Sequence, residues 1–271
     1  DDPHNAYSGH IGIELRGNST QGFPKKPYNF ETRDSLGANR NISFLGLPPE
    51  NDWVLRASYM DHTFIRNGLA NYMSRENGFW ASRTRLVEVV LNGEYQGIYI
   101  LMEKLKRDYW RLNISELYAF EITEPEITGG YIWEITGFGS NMGKSRKLKY
   151  PKFEVVAPEQ IAYITGYDDA FRNAMASSQF ADSINGYHAY INPESFVNEI
   201  LIQEAMRNSD AYGWSGYYHK DRLGNINAGP VWDFDQSSGN SSYPDNGIVA
   251  GWMFEHQGTS NTPFYWKKLF S

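Results

Sequence analysis

The order of secondary-structure signals predicts an α+β fold with two lobes. Three observations carry the prediction. Apolar and polar residues alternate around turn signals from residue 11 onward, one helical stretch interrupts that pattern, and helical signals with a single late hairpin follow it. The expected division is an N-terminal lobe over residues 1–104, an antiparallel sheet with one helix, and a C-terminal lobe over 105–271, mostly helical with a β-hairpin.

The elements follow in order. Ile11, Ile13 and Leu15 alternate with polar residues, a Gly-rich break at 16–22 intervenes, and Tyr28 and Phe30 resume the period, which predicts strand, turn and strand. Asp61 is placed to cap a helix on which Phe64, Ile65, Leu69, Tyr72 and Met73 recur at helical spacing as a buried face, with Gly78 as its stop. Leu86 to Leu91 and Tyr95 to Met102 flank Asn92-Gly93, a type I′ turn signal, so a hairpin is expected in the middle of the sheet. A further strand spans 127–135, and Pro193 behind Asn192 opens a helix carrying Phe196, Ile200 and Leu201. A last hairpin runs from Tyr217 to Trp232 around Asp221-Arg222-Leu223-Gly224. Residues 263–270 read as an interrupted amphipathic helix. With Asp1-Asp2-Pro3 at the other end, both termini read as cut.

Composition bounds the chemistry. With 25 Lys plus Arg against 32 Asp plus Glu, the net charge is -7, which argues against a nucleic-acid surface. Of the 271 residues 41% are hydrophobic, enough for a packed core, yet no apolar run reaches the roughly 18 residues of a membrane span. The absence of Cys removes disulfides, thiol nucleophiles and thiolate metal sites. It also fits a secreted or cell-surface bacterial protein. The run from Lys144 to Lys152, with Arg146, Lys147 and Lys149, reads as a solvated loop, the other reading being a patch for phosphate or an acidic substrate.

Two segments can carry chemistry. In Arg16-Gly17-Asn18-Ser19-Thr20, followed by Gly22 and Lys25-Lys26, glycines can turn backbone N–H groups onto a phosphate and a lysine can neutralise it. A polar hairpin loop is the competing reading. Near the C-terminus, Asn208-Ser209-Asp210 ends a predicted helix and Trp232-Asp233-Phe234-Asp235 ends the late hairpin, so two carboxylate sites flank one ribbon. Oxygen ligands without Cys or a His cluster point to Mg²⁺, Mn²⁺ or Ca²⁺. Asp210 and Asp235 also suit turn and cap positions. Asp233 sits between two aromatic residues, where its charge requires a metal or an arginine. Zinc and serine hydrolase patterns are absent, while the many aromatics and carboxylates keep a glycoside hydrolase as the chemical rival.

Taken together, Arg16 to Thr20 with Lys25-Lys26-Pro27-Tyr28, Asp52-Trp53-x-Leu55-x-Ala57 with Asp61, Thr63, Arg66 and Asn67, Gly93-x-Tyr95-x-Gly97-x-Tyr99-x-Leu101-x-Glu103, Asn208-x-Asp210, and Pro230-x-Trp232-Asp233-Phe234-Asp235 resemble the CotH kinase-like family. The resemblance implies one composite, atypical protein-kinase-like domain that uses ATP and a divalent metal to phosphorylate protein Ser or Thr. It implies Asp210 as the catalytic aspartate, Asp233 as metal ligand with Asp235 as a second, and residues 16–20 over the phosphates. Lys25 or Lys26 neutralises them, with Lys26 preferred because it shares a strand face with Tyr28 and Phe30. Arg66 is expected to face the cleft and Glu103 to lie at the hinge, both beside the nucleotide. Five residues beyond Asp210, where a kinase places a metal-binding Asn, stands Ser215; Asn240 substitutes only if its loop folds back. The alternative function is a kinase-like surface module without catalysis, binding glycan or protein.

Overall fold

The computed structural model describes residues 7–136, 142–143, 145–241, 247–255 and 262–270. Strands β1 (His10–Leu15), β2 (Tyr28–Arg33), β3 (Asp52–Arg56), β4 (Thr84–Leu91) and β5 (Glu94–Glu103) form an antiparallel sheet in the order β1–β2–β3–β5–β4. Asn92 and Gly93 both take positive φ, 53° and 85°, as a type I′ turn requires, and this joins β4 to β5. The hairpin does not take the middle of the sheet, the place expected from sequence. Its β4 is the edge strand, which leaves Leu86 and Val90 exposed, and β3 takes the middle. That strand shows no alternation because both its faces are covered: Trp53 packs with Phe30, Leu47 and Leu101, and Val54 with Ile100 and Met102.

Helix α1 (Arg66–Glu76) forms where expected, but it buries the opposite face. Ile65, Leu69 and Tyr72 are 61%, 43% and 52% exposed, while Asn67, Ala70, Asn71 and Ser74 are buried. The physical reason is a set of polar partners on that side. Asn67 meets Phe234 and Asp235, Asn71 Nδ2 donates to Asn67 O at 2.7 Å, and Ser74 Oγ accepts from Asn198 at 3.3 Å. Asp61 steadies the approach to the helix by accepting from the Thr63 and Arg66 amides and pairing with the Arg66 guanidinium at 2.5 Å.

The remainder is not mostly helical with one hairpin. Strands β6 (Tyr131–Ile135), β7 (Arg146–Tyr150), β8 (Gly216–Lys220) and β9 (Ile226–Ala228) make a second antiparallel sheet in the order β7–β6–β8–β9. The expected solvated loop at 144–152 is therefore corrected over β7, with Lys144 outside the described residues. Arg146 is buried because Asp168 and Asp169, at 2.5 and 2.9 Å, satisfy its charge from helix α2 (Pro158–Ala176). Helix α3 (Pro193–Met206) starts as expected, with the Asn192 side chain accepting from the Glu194 amide at 3.2 Å. Helix α4 (Phe264–Leu269) buries Tyr265 and Trp266, both donating to the Tyr218 hydroxyl, in the core between the sheet and its helices. The architecture is thus α+β, as predicted.

Trp232 connects the two sheets. It packs against Val54, Ile100 and Met102 of the first and against Ile132 and Tyr217 of the second. Among the described residues, no helix is long and apolar enough to cross a membrane.

Candidate active site

A cavity of about 720 Å³ opens where the first sheet, the Arg16–Thr20 loop and strands β6, β7 and β8 of the second sheet meet. The loop is shaped by Gly17, whose φ of 86° favours glycine. A Cβ there would sit 1.9 Å from Thr20 Oγ1. Residues 19–22 make one short 3₁₀ turn, Gln21 Nε2 donates to Gly17 O at 2.7 Å, and Arg16 N donates to Pro27 O at 3.1 Å, closing the loop at its base. The Arg16 guanidinium lies 5.7 Å from the Trp232 ring centre. Burial, with Arg56 alongside, pulls its pKa below the ordinary arginine value.

Opposite the loop stand three aspartates. Asp233 has φ of 68°, in the left-handed region that a non-glycine residue seldom adopts. Its carboxylate pairs with Arg56 Nη2 and accepts from Ser215 Oγ at 3.4 Å. Asp235 receives Arg56 through Nε at 3.2 Å and Nη2 at 2.9 Å, and receives Asn67 Nδ2 as well. Burial alone would lower the Arg56 pKa, but Asp235 and Asp233 outweigh it and hold it above the ordinary value. Asp210 Oδ2 accepts from Gln236 Nε2 at 2.9 Å, and its amide donates to Asn208 Oδ1 at 3.3 Å.

A loop, a central-strand arginine and three carboxylates, drawn from segments far apart in the chain, therefore line one cavity. A family model described as CotH kinase protein matches residues 13–270. The chain belongs to the CotH kinase family. No curated protein matches it. The family match takes in every residue that lines the cavity.

Of the residues expected from this family's pattern, Arg16 to Thr20, Lys25, Asp210, Asp233 and Asp235 meet at the cavity. Lys26 does not line it: its Nζ donates to Gln21 O at 2.7 Å. The alternation that favoured Lys26 begins only at Tyr28, where β2 starts, so it does not govern residues 25 and 26. Lys25 points inward, donates to Ile98 O and lies 4.5 Å from the Tyr99 ring centre, with its pKa lowered by burial. Arg66 is spent elsewhere, on Asp61 and on Ser237 O at 2.9 Å. Glu103 is fully buried between Arg83 and Arg111. It is neither a surface strand end nor a cavity residue. Asn240 does fold back, donating to Met60 O at 2.8 Å and Asp235 O at 2.6 Å, so its amide holds backbone.

The sequence pattern assigns no role to Arg56, and it puts Lys147 and Lys149 in a solvated loop with a patch for phosphate or an acidic substrate as the second reading. The family motif around Asp52-Trp53 ran through Leu55 and Ala57 and stepped over Arg56, and the strand period of β7 would have separated the inward Arg146 from the outward lysines.

Among the described residues, no three His, Asp or Glu side chains are grouped so as to hold a metal ion. Asp233, Asp235 and the Ser215 hydroxyl nevertheless form an all-oxygen donor set of the kind a hard cation takes, and Mg²⁺ commonly uses one or two carboxylates with water and substrate phosphates filling the rest. The residues fit such an ion provided Arg56 yields its place.

Proposed function

We propose that the chain is a two-lobed, kinase-like phosphotransferase that moves the γ-phosphate of ATP to a Ser or Thr hydroxyl of a protein. The observation that carries this reading is the convergence of Arg16, Lys25 and Arg56 with Asp210, Asp233 and Asp235 on one cavity in a CotH kinase family member. Backbone amides of 17–20 meet phosphate oxygens, and Arg16, Lys25 and Arg56 offset their charge. Asp210, oriented by Gln236, accepts the substrate hydroxyl's hydrogen bond and guides it in line with the phosphate. Asp233 and Asp235 are the residues that would hold Mg²⁺, which when bound neutralises charge developing on the phosphates. Lys25 replaces Lys26 as the lysine of this scheme.

Isothermal titration of the chain with Mg-ATP tests it. The wild type is expected to bind and Asp233→Ala to lose binding. Asp210→Asn is expected to keep nucleotide affinity within a few-fold and to lose transfer by roughly 10²-fold or more. A wild type that binds no nucleotide would sink the proposal. One observation favours the second reading, a module without catalysis: Arg56 already satisfies both metal-side carboxylates. Binding of Mg-ATP without transfer to any protein would select it.

A further inference from the structure

The phosphotransfer scheme leaves the far wall of the cavity unused. That wall is β6 and β7, where Glu134, Lys147 and Lys149 face the same space as Asp210. Lys147 and Lys149 are two apart on an edge strand, so they share a face with side chains about 6.7 Å apart. Their presentation is fixed from behind, because Arg146 and Leu148 on the other face are buried and Arg146 is tied to Asp168 and Asp169.

Of the two, Lys147 stands apart from the phosphate side, while Lys149 Nζ reaches to 5.9 Å from the Tyr217 ring centre. Across the sheet, Lys147 is registered with Glu134 and Glu134 with Tyr217, which puts two strand spacings, roughly 9–10 Å, between Lys147 and Tyr217. A carboxylate stands between them. Lys149 pairs with Glu134 at 3.1 Å and compensates that carboxylate. No carboxylate among the described residues lies within ion-pair distance of Lys147. The wall thus presents surplus positive charge on a chain whose net charge is -7.

We propose that Lys147 and Lys149 are specificity residues that select a protein segment with acidic residues beside its phosphoacceptor hydroxyl. An extended segment crossing the cavity places its alternate side chains at the same spacing as the two lysines, so carboxylates on every second residue match them. The inference rests on the phosphotransfer reading for the identity of the acceptor, while the docking it describes is measurable without turnover.

The experiment is fluorescence anisotropy with two labelled peptides, each carrying Ala in place of the acceptor. One has Asp at alternate positions and the other has Asn. The wild-type chain is expected to bind the Asp peptide about tenfold more tightly, a preference that shrinks with added salt. Lys147→Glu with Lys149→Glu should abolish or reverse the preference, and Lys147→Gln with Lys149→Gln should remove it, while both keep wild-type Mg-ATP affinity; the melting temperature falls, more for the Glu pair, because Glu134 loses its compensating cation. Equal binding of the two peptides by the wild type overturns the proposal. So does a Gln variant that loses Mg-ATP affinity while keeping peptide preference, which would assign the lysines to nucleotide phosphate. If the wild type prefers the acidic peptide but binds no nucleotide, the docking inference stands and the phosphotransfer reading alone falls.

Discussion

Arg56 shares its guanidinium between Asp233 and Asp235, groups 177 and 179 residues away in the chain. Removing it leaves two carboxylates, 34% and 15% exposed, facing each other without their cation. Arg56→Ala is expected to lower stability by roughly 3 kcal/mol in urea unfolding, and added Mg²⁺ should recover more of that loss than it adds to the wild type. A variant as stable as the wild type would show that the bridge contributes nothing. Glu199 offers a pH test. Burial raises its pKa to about 7 from 4.5, against a weaker opposing bond from Gln203, and its second oxygen has no partner. The folded chain therefore keeps a proton that the unfolded chain loses above pH 4.5, so this group's contribution falls as pH rises to about 7 and is level beyond it. Glu199→Gln should be more stable than the wild type at pH 8 by on the order of 2–3 kcal/mol, with the gap closing toward pH 5. A gap independent of pH would contradict the shift. At this scale the sequence was legible where a charge had to be answered: Asp233 between aromatics demanded a metal or an arginine, and an arginine answers it. Which arginine was not legible, because the partner lies in a strand that no local pattern announces.

Strand ends and helix faces were legible only where local chemistry decides them. Asn92-Gly93 and Asn192-Pro193 act within a few residues, and both the hairpin and α3 form accordingly. The buried face of α1 is set by what lies opposite, and Asn67, Asn71 and Ser74 go inward because Asp235, Phe234 and Asn198 await them. In β7, a charge run hides a two-residue period, one basic residue buried and two outside. The end of β5 supplies a test of a displaced assignment. Glu103 and Arg111 are both buried, and the Arg111 guanidinium lies 4.7 Å from the Trp53 ring centre with two of its nitrogens unpartnered. Glu103→Ala should destabilise the chain by about 3–5 kcal/mol, and adding Arg111→Met should restore most of it. Nucleotide affinity of the folded double variant is expected to match the wild type. Loss of affinity would return Glu103 to the nucleotide site.

For the whole molecule, the resemblance told which segments would meet, Arg16 to Thr20 with Asp210, Asp233 and Asp235, but the order of elements did not show how, since their proximity comes from two sheets joined at Trp232. The acidic surplus of the chain coexists with a cavity lined by Arg16, Lys25, Arg56, Lys147 and Lys149. Because that cavity touches both sheets, Mg-ATP at a hundred times its Kd should stabilise the chain by about 2.7 kcal/mol, a rise in melting temperature of roughly 5–10 °C. Asp233→Ala should show no rise, and a wild type without one would count against nucleotide binding. The Arg56 bridge has one more consequence. The carboxylates proposed to hold Mg²⁺ already carry the protein's own cation, so on that reading a metal would have to displace Arg56 from them, and its apparent affinity would be weakened by the fraction of time the pairing stays closed. If the proposed reading holds, the same pairing re-forms as the metal leaves, which would favour rapid release over tight retention.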